Sequence, residues 1–358
     1  MNHSRLALSD AEVIGFQHDH PEVFKGAHHQ EPDLGVTGIA HNVGVHIAKP
    51  QGEALDDVAI IAPRSYEAML DSFYMQGRYG VEASRDQVLA NTTGRTVIGV
   101  DTPGFAVNPG VSMSALQMFQ GARGNLKPIA EAQLRAILEF TQAHQVSLDR
   151  IHMLGYSMAA AAVVGMTEVL PEMLPKTQIA DITLFEPAND YGRAMFGDQG
   201  LQAHIQRETN ADNTLRYLRL SVAERDNALK ISFDRDPENE DLALDPERQA
   251  IFAAAQKRGQ MGNVALGFGL RVGFTTKKKK WYHTQDSAVT PPFRIIRTDG
   301  SEIARLQANQ KTVESIGEYT QSRLITISNP EHPHHHPIWQ SLGAVASIFH
   351  AVNTNPTH

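Results

Sequence analysis

Three kinds of side chain in this sequence have the type and spacing for bond-breaking chemistry: one serine, one histidine cluster and a few carboxylates. The serine is Ser157, within RIHMLGYSMAAAAVVG at residues 150–165. A largely apolar run, 151–154, leads into Gly155-Tyr156-Ser157-Met158-Ala159, and small, helix-compatible residues follow at once. This reads as strand, very tight turn, helix, with Ser157 at the apex. Gly-x-Ser-x-Gly is the usual form of the nucleophile elbow, whose strained turn lifts a hydroxyl above a sheet. Ala159 stands where the last glycine would, and small size is what that position needs. The plain alternative is a serine in an ordinary tight turn. The histidines are His332, His334, His335 and His336, four in five positions. Such a cluster suits a general base for the serine, or a metal site. Metal binding would draw further ligands from His18, His20, His28 or His29, whose spacing does not predict convergence. The chain has no cysteine, which excludes disulfides, thiolate nucleophiles and Cys-ligated metals.

The elements that must position these groups alternate strand with helix. Residues 58–62 (VAIIA), 96–100 (TVIGV), 151–154 and 179–185 (IADITLF) are short apolar runs, as expected of strands buried on both faces. Residues 66–76 have helical spacing. Residues 126–145 form the clearest helix, with Ile129, Leu134, Ile137, Leu138 and Phe140 on one face and Pro128 in the first turn. Strand 293–297 (FRIIR), a helix over about 303–317, strand 323–328 (RLITIS) and a last helix over 338–352 complete the series. This rhythm predicts βαβ units: an α/β fold with a mostly parallel central sheet and helices on both faces. Residues 35–49 alternate like a pair of half-exposed strands.

Two stretches break the rhythm. Residues 1–35 are polar and rich in His, Asp and Pro; they are expected to form a weakly structured N-terminal arm with a short strand at 12–17. Residues 191–291 hold polar helical pieces, an acidic run at 234–241, a glycine-rich stretch and the lysines 277–280, but no buried strand. A structureless loop of that length is improbable inside a compact domain, so they read as an inserted, mostly helical cap. The core is then 36–190 together with 292–358.

Composition narrows the function. The chain has 358 residues, 41% hydrophobic and 20% charged, ordinary for a soluble domain with a large core. A net charge of −8 argues against nucleic acid as a partner. The lysine run reads as a solvated loop, its functional alternative being an anion or membrane-surface patch. The first residues lack the basic-then-apolar pattern of a secretory signal, and no run of about 18 apolar residues predicts a membrane span, so a cytoplasmic location is expected. Gly94, Gly99 and Gly104 do not have dinucleotide-binding spacing, and no cofactor is required.

The order of these features resembles an α/β-hydrolase-fold protein with an inserted cap, over about residues 36–355. VAIIAPRS is similar to the family's strand ending in an oxyanion loop, VIGVDTPGFA to its strand ending in Asp-x-Pro-Gly-x-Gly, and LGYSMAAA to its elbow. LITISNPEHPHHHPIW is similar to its last strand and histidine loop. The resemblance implies the chain order nucleophile, acid, histidine. It makes Ser157 the nucleophile and His332 the base, with His334, His335 and His336 as alternatives. The family's usual acid position falls on Ser301. Asp299 is therefore the nearest candidate and Glu302 an alternative. Some members place the acid after the preceding strand, which here means Asp190; Glu186 stands very close to the strand end. The oxyanion hole would use the N–H groups of Met158 and Arg64, with Ser65 behind Arg64, since Pro63 has none to donate. The Arg64 side chain would bind a substrate carboxylate or phosphate, or lie at the surface.

The resemblance thus implies a serine hydrolase acting on an ester or related acyl bond of a small molecule. The alternatives are a non-catalytic member that keeps the fold as a ligand-binding or interaction module, and a metal-dependent protein built on the histidine cluster.

Overall fold

The computed structural model describes residues 2–26, 35–41, 43–52, 54–55, 58–64, 81–103, 114–123, 125–156, 159–187, 291–299, 301, 304, 306–318, 320–328 and 342–354. Nine strands of these residues form one sheet: β1 (Asn2–Ala7), β2 (Val36–Ala40), β3 (Val43–Ala48), β4 (Val58–Arg64), β5 (Val97–Asp101), β6 (Arg150–Tyr156), β7 (Gln178–Phe185), β8 (Phe293–Thr298) and β9 (Ser322–Ser328). Their spatial order is β1-β9-β8-β7-β6-β4-β5-β3-β2. From β1 to β5 every pairing is parallel; β3 joins β5 and β2 joins β3 antiparallel.

Successive side chains of a strand point to opposite faces, and the core divides accordingly. On one face Ile61, Ile98 and Met153 pack with Leu134 and Ile137 of α4 (Lys127–Ala143), Val163 of α5 (Ala160–Met173) and Val313 of α6 (Leu306–Gly317). On the other face Ile60, Leu154, Phe185 and Ile325 meet Val13 of α1 (Asp10–Asp19), Leu89 of α2 (Val81–Thr93) and Val345, Ile348 and Phe349 of α7 (Leu342–Thr354). Covering on both faces is what the continuous apolar runs of the central strands require. The short helix α3 (Ala115–Ala122) precedes α4.

The expected weak N-terminal arm is instead built into the fold. Residues 2–7 pair in parallel with β9, from Asn2 opposite Arg323 to Ala7 opposite Ser328. Residues 12–17, expected as a strand, belong to α1. That helix starts at a capping box: the Glu12 N–H donates to Ser9 Oγ (3.3 Å), and the Ser9 N–H donates to Glu12 Oε2 (2.6 Å). The expected helix at 66–76, the cap at 191–291, the lysine run and the histidine loop lie outside the described residues.

Parallel pairing has one consequence for function. Arg64, Asp101, Tyr156, Phe185, Thr298 and Ser328, the last residues of β4 to β9, all reach the same edge of the sheet. The carboxyl ends of parallel strands are where ligands bind in sheets of this kind.

Candidate active site

The elbow is built by close contact. β6 ends at Tyr156 and α5 begins at Ala160, so three residues make the turn. A Cβ on Gly155 would stand 2.8 Å from the Ala160 Cα and 2.9 Å from Val163 Cγ2. The strand and the helix thus touch at this point, and only glycine fits. Ala159 is buried and already helical, at φ −66 and ψ −16. Ala160, Ala161 and Ala162 are buried behind it, so a larger residue there would part the helix from the sheet. Ser157 and Met158 lie outside the described residues. They are the two residues between the end of β6 and Ala159. The N-terminus of α5 carries no side-chain cap, and its dipole favours negative charge close by.

Among the predicted acids, Asp299 is described. It follows β8, its N–H donates to the Ile327 carbonyl (2.8 Å), and its side chain is 42% exposed with Oδ1 3.7 Å from Arg297 Nη1. Ser301, at the family's usual acid position, is buried and structural: its Oγ accepts from the Ala304 N–H (3.0 Å) and its own N–H donates to the Thr298 carbonyl (3.2 Å). Arg297 tightens the same turn by donating Nε–H to the Ala304 carbonyl (2.8 Å) and Nη2–H to the Asp299 carbonyl (2.9 Å). Asp190, Glu302, His332, His334, His335 and His336 lie outside the described residues.

Glu186, set aside in the sequence for standing too near its strand, is a buried carboxylate of this edge, as is Asp101 at the end of β5. It is fully buried and directly follows Phe185. Its φ of +46 is a left-handed conformation that non-glycine residues seldom adopt. Its N–H donates to the Ile296 carbonyl (2.7 Å), and its carboxylate accepts from the Thr298 N–H. The signal for it in the sequence was slight: a charged residue between a buried apolar strand and Pro187. Burial pulls Arg297 below the ordinary guanidinium value, while the Glu186 and Asp299 carboxylates oppose that shift.

The Arg64 side chain is neither at the surface nor free to hold a substrate anion. It is the last residue of β4, opposite Asp101 of β5, and 4% exposed. Its Nη2 donates to Asp86 Oδ2 of α2, and its Nη1 lies 3.8 Å from Asp101 Oδ1. His46 of β3 brings its Nδ1 to 3.0 Å from the same Asp86 oxygen. Burial pushes the Asp86 carboxyl up; the Arg64 charge and His46 outweigh it and leave the carboxyl below its ordinary value. A guanidinium already engaged by two buried carboxylates has no reason to leave them for solvent. Gln133 of α4 secures the end of β5, donating to the Asp101 carbonyl (3.2 Å) and to Thr102 Oγ1 (3.1 Å). Among the described residues no group of three or more His, Asp or Glu side chains is gathered as a metal would need.

No family model matches the sequence, and no curated protein does. Among solved structures, the chain is similar to a laboratory-evolved variant of potato epoxide hydrolase, at 11% identity over 89% of this chain and 98% of that one, with a TM-score of 0.51. It is similar also to a bacterial membrane phospholipase A, at 12% identity over 95% and 91%, with a TM-score of 0.53. The sheet order, the helices on both faces, the tight junction after β6 and these likenesses define the class: the chain has the α/β-hydrolase fold. Among the described residues no helix is long and apolar enough to cross a membrane.

Proposed function

We propose that this protein is a serine hydrolase that cleaves an ester or related acyl bond of a small molecule. The observation that carries the reading is the junction at Gly155 and Ala160, too tight for any side chain, at the carboxyl edge of a parallel sheet. A junction of that shape serves to present a residue at its apex, and the order of the sequence assigns that role to Ser157. Ser157 attacks the carbonyl carbon while His332 takes its proton, with His334, His335 and His336 as alternatives within the same loop. The oxyanion of the tetrahedral intermediate is held by the N–H of Met158 and by one from Ser65, since the register of β4 on β5 turns the Arg64 N–H into the sheet ladder; each such donor is worth about 3 kcal/mol. The histidine then returns the proton to the leaving alcohol, and water releases the acyl group. Specificity is set by side chains of the inserted stretch 191–291.

The acid must hold the histidine tautomer and stabilise the imidazolium. Glu186 suits this role better than Asp299. It is buried, so its field is unscreened; it follows β7, the strand beside β6; and its carboxylate is fixed by a backbone N–H. Asp299 is partly solvated, and both carboxylates act on Arg297.

Ser301 at the usual acid position favours one second reading, a fold kept for binding without catalysis. The two readings separate on Ser157→Ala. Loss of p-nitrophenyl ester turnover in a folded variant is the expected result, and undiminished turnover would sink the serine mechanism.

A further inference from the structure

We propose that the outer edge of β2 is an interface between two copies of this chain, on which β2 of the second copy pairs antiparallel about a two-fold axis at Gly38.

The two outermost strands of the sheet are built differently. β1 exposes His3 and Arg5, and charge on an edge strand discourages further pairing. β2, Val36-Thr37-Gly38-Ile39-Ala40, holds no charged residue, no proline and no bulge. Val36 is 38% exposed and Ile39 56%, and the alternation of a strand puts them on opposite faces. Among the described residues no strand pairs with the outer side of β2. A strand edge with exposed apolar residues on both faces and none of the usual protection is a template for another strand.

The ladder decides which groups of β2 point outward. Along a strand, the N–H and C=O of one residue face one neighbour and those of the next residue face the other. The Ile60 N–H of β4 donates to the Thr96 carbonyl (2.8 Å), so Ile98 and Val100 also face β4, while Val97 and Gly99 face β3. Their partners Ala48 and His46 therefore face β5, and Val43, Val45 and Ile47 face β2. Opposite these stand Ala40, Gly38 and Val36, which leaves the N–H and C=O of Thr37 and Ile39 pointing outward.

Two copies of this strand fit each other in one register. With Gly38 on the axis, Thr37 stands opposite Ile39 of the partner subunit, and Ile39 opposite Thr37 of the partner subunit. Each of these equivalent pairs exchanges both N–H···O=C bonds, so every outward group is used. A shift by two residues would engage either His41, whose φ of +49 belongs to the hairpin turn, or Gly35, which precedes the strand. Gly38 suits the axis, where the two Cα atoms of a pair without mutual bonds approach to about 4.5 Å. A Cβ there would collide with the Phe140 ring of α4, which covers Gly38 from one face. Pairing brings the two Phe140 rings together over the axis and covers Val36 and Ile39 on both sides of the joined sheet. An isologous contact of this kind closes at two copies.

The test is sedimentation velocity of the full chain at protein concentrations up to about 100 μM, with amide hydrogen exchange in the peptide spanning residues 36–40. The variants are Ile39→Lys, which puts charge on the edge, and Ile39→Pro, which removes an outward N–H and leaves the bonds to β3 in place. The expected result is a reversible monomer–dimer equilibrium in the wild type, with slower exchange of the Thr37 and Ile39 amides as the dimer fills. Both variants, folded by circular dichroism, raise the dissociation constant about 30-fold or more, since each dimer carries the substitution twice. A wild-type chain that stays monomeric at the highest concentration would overturn the proposal, as would assembly beyond two copies. A dimer whose Thr37 and Ile39 amides gain no protection, or that folded Ile39→Lys leaves as tight as before, would overturn it too.

Discussion

At the scale of single residues, the acid is where sequence and structure part. Position 301 is where the resemblance points, and the chain has used it for a serine that closes a turn. The carboxylate buried beside the end of β8 is Glu186, one strand earlier. Its place between an apolar strand and Pro187 is a slight signal, and it does not reveal the left-handed backbone or the burial, which depends on β8, more than 100 residues away. Removing a triad acid while keeping its shape costs up to about 10⁴-fold in kcat. Glu186→Gln should therefore lower kcat by roughly 10³- to 10⁴-fold, and Asp299→Asn by far less. The comparison is of steady-state rates at one pH where both variants are folded. The reverse ranking would return the acid to Asp299.

At the scale of elements, β6, β7 and β8 carry a second polar row on the face covered by α2 and α7. His152 of β6 places Nε2 3.0 Å from Thr183 Oγ1 and 3.3 Å from Asp181 Oδ1, while Arg294 Nη2 donates to Asp181 Oδ2 (2.7 Å). Burial lowers the His152 pKa to about 4, helped by the charges of Arg294 and Arg95 and opposed by Asp181. The unfolded chain has its histidine near 6.5, so between about pH 6.5 and 4 the unfolded state binds more protons. Stability therefore rises with pH through that window and is lost as pH falls through it. The loss from pH 7 to pH 5 is about 2 kcal/mol from this group. Urea unfolding at the two values should show it, and His152→Gln should flatten the difference. An equal slope in the variant would contradict the assignment. The Asp86 carboxyl, lowered by Arg64, acts in the same direction but only below its unfolded value, near pH 4.

The elements also show what was legible beforehand. Buried parallel strands announce themselves as short apolar runs, so β4 to β9 were readable to within a few residues. β1 was not, because NHSRLA is a polar sequence flanked, among the described residues, by a neighbour on one side only. α2 was missed for a related reason: its inward face carries Arg85, Asp86 and Gln87 beside Val88 and Leu89, which hides the helical period. The polar interior that obscured α2 is the cluster that holds Arg64.

At the scale of the whole molecule, the α/β-hydrolase fold emerged from alternation, from the order of four modest motifs and from the elbow, and the sheet bears it out. Function rests on a narrower base, one serine two residues after a glycine whose contact with α5 leaves no room for a Cβ. The most direct measurement is the mass of the peptide containing Ser157 after exposure of the folded protein to a fluorophosphonate probe. Only a serine activated by a neighbouring base reacts at a useful rate. The account predicts a stoichiometric adduct on Ser157, absent in Ser157→Ala. An unmodified Ser157 peptide from the folded wild-type chain would contradict it.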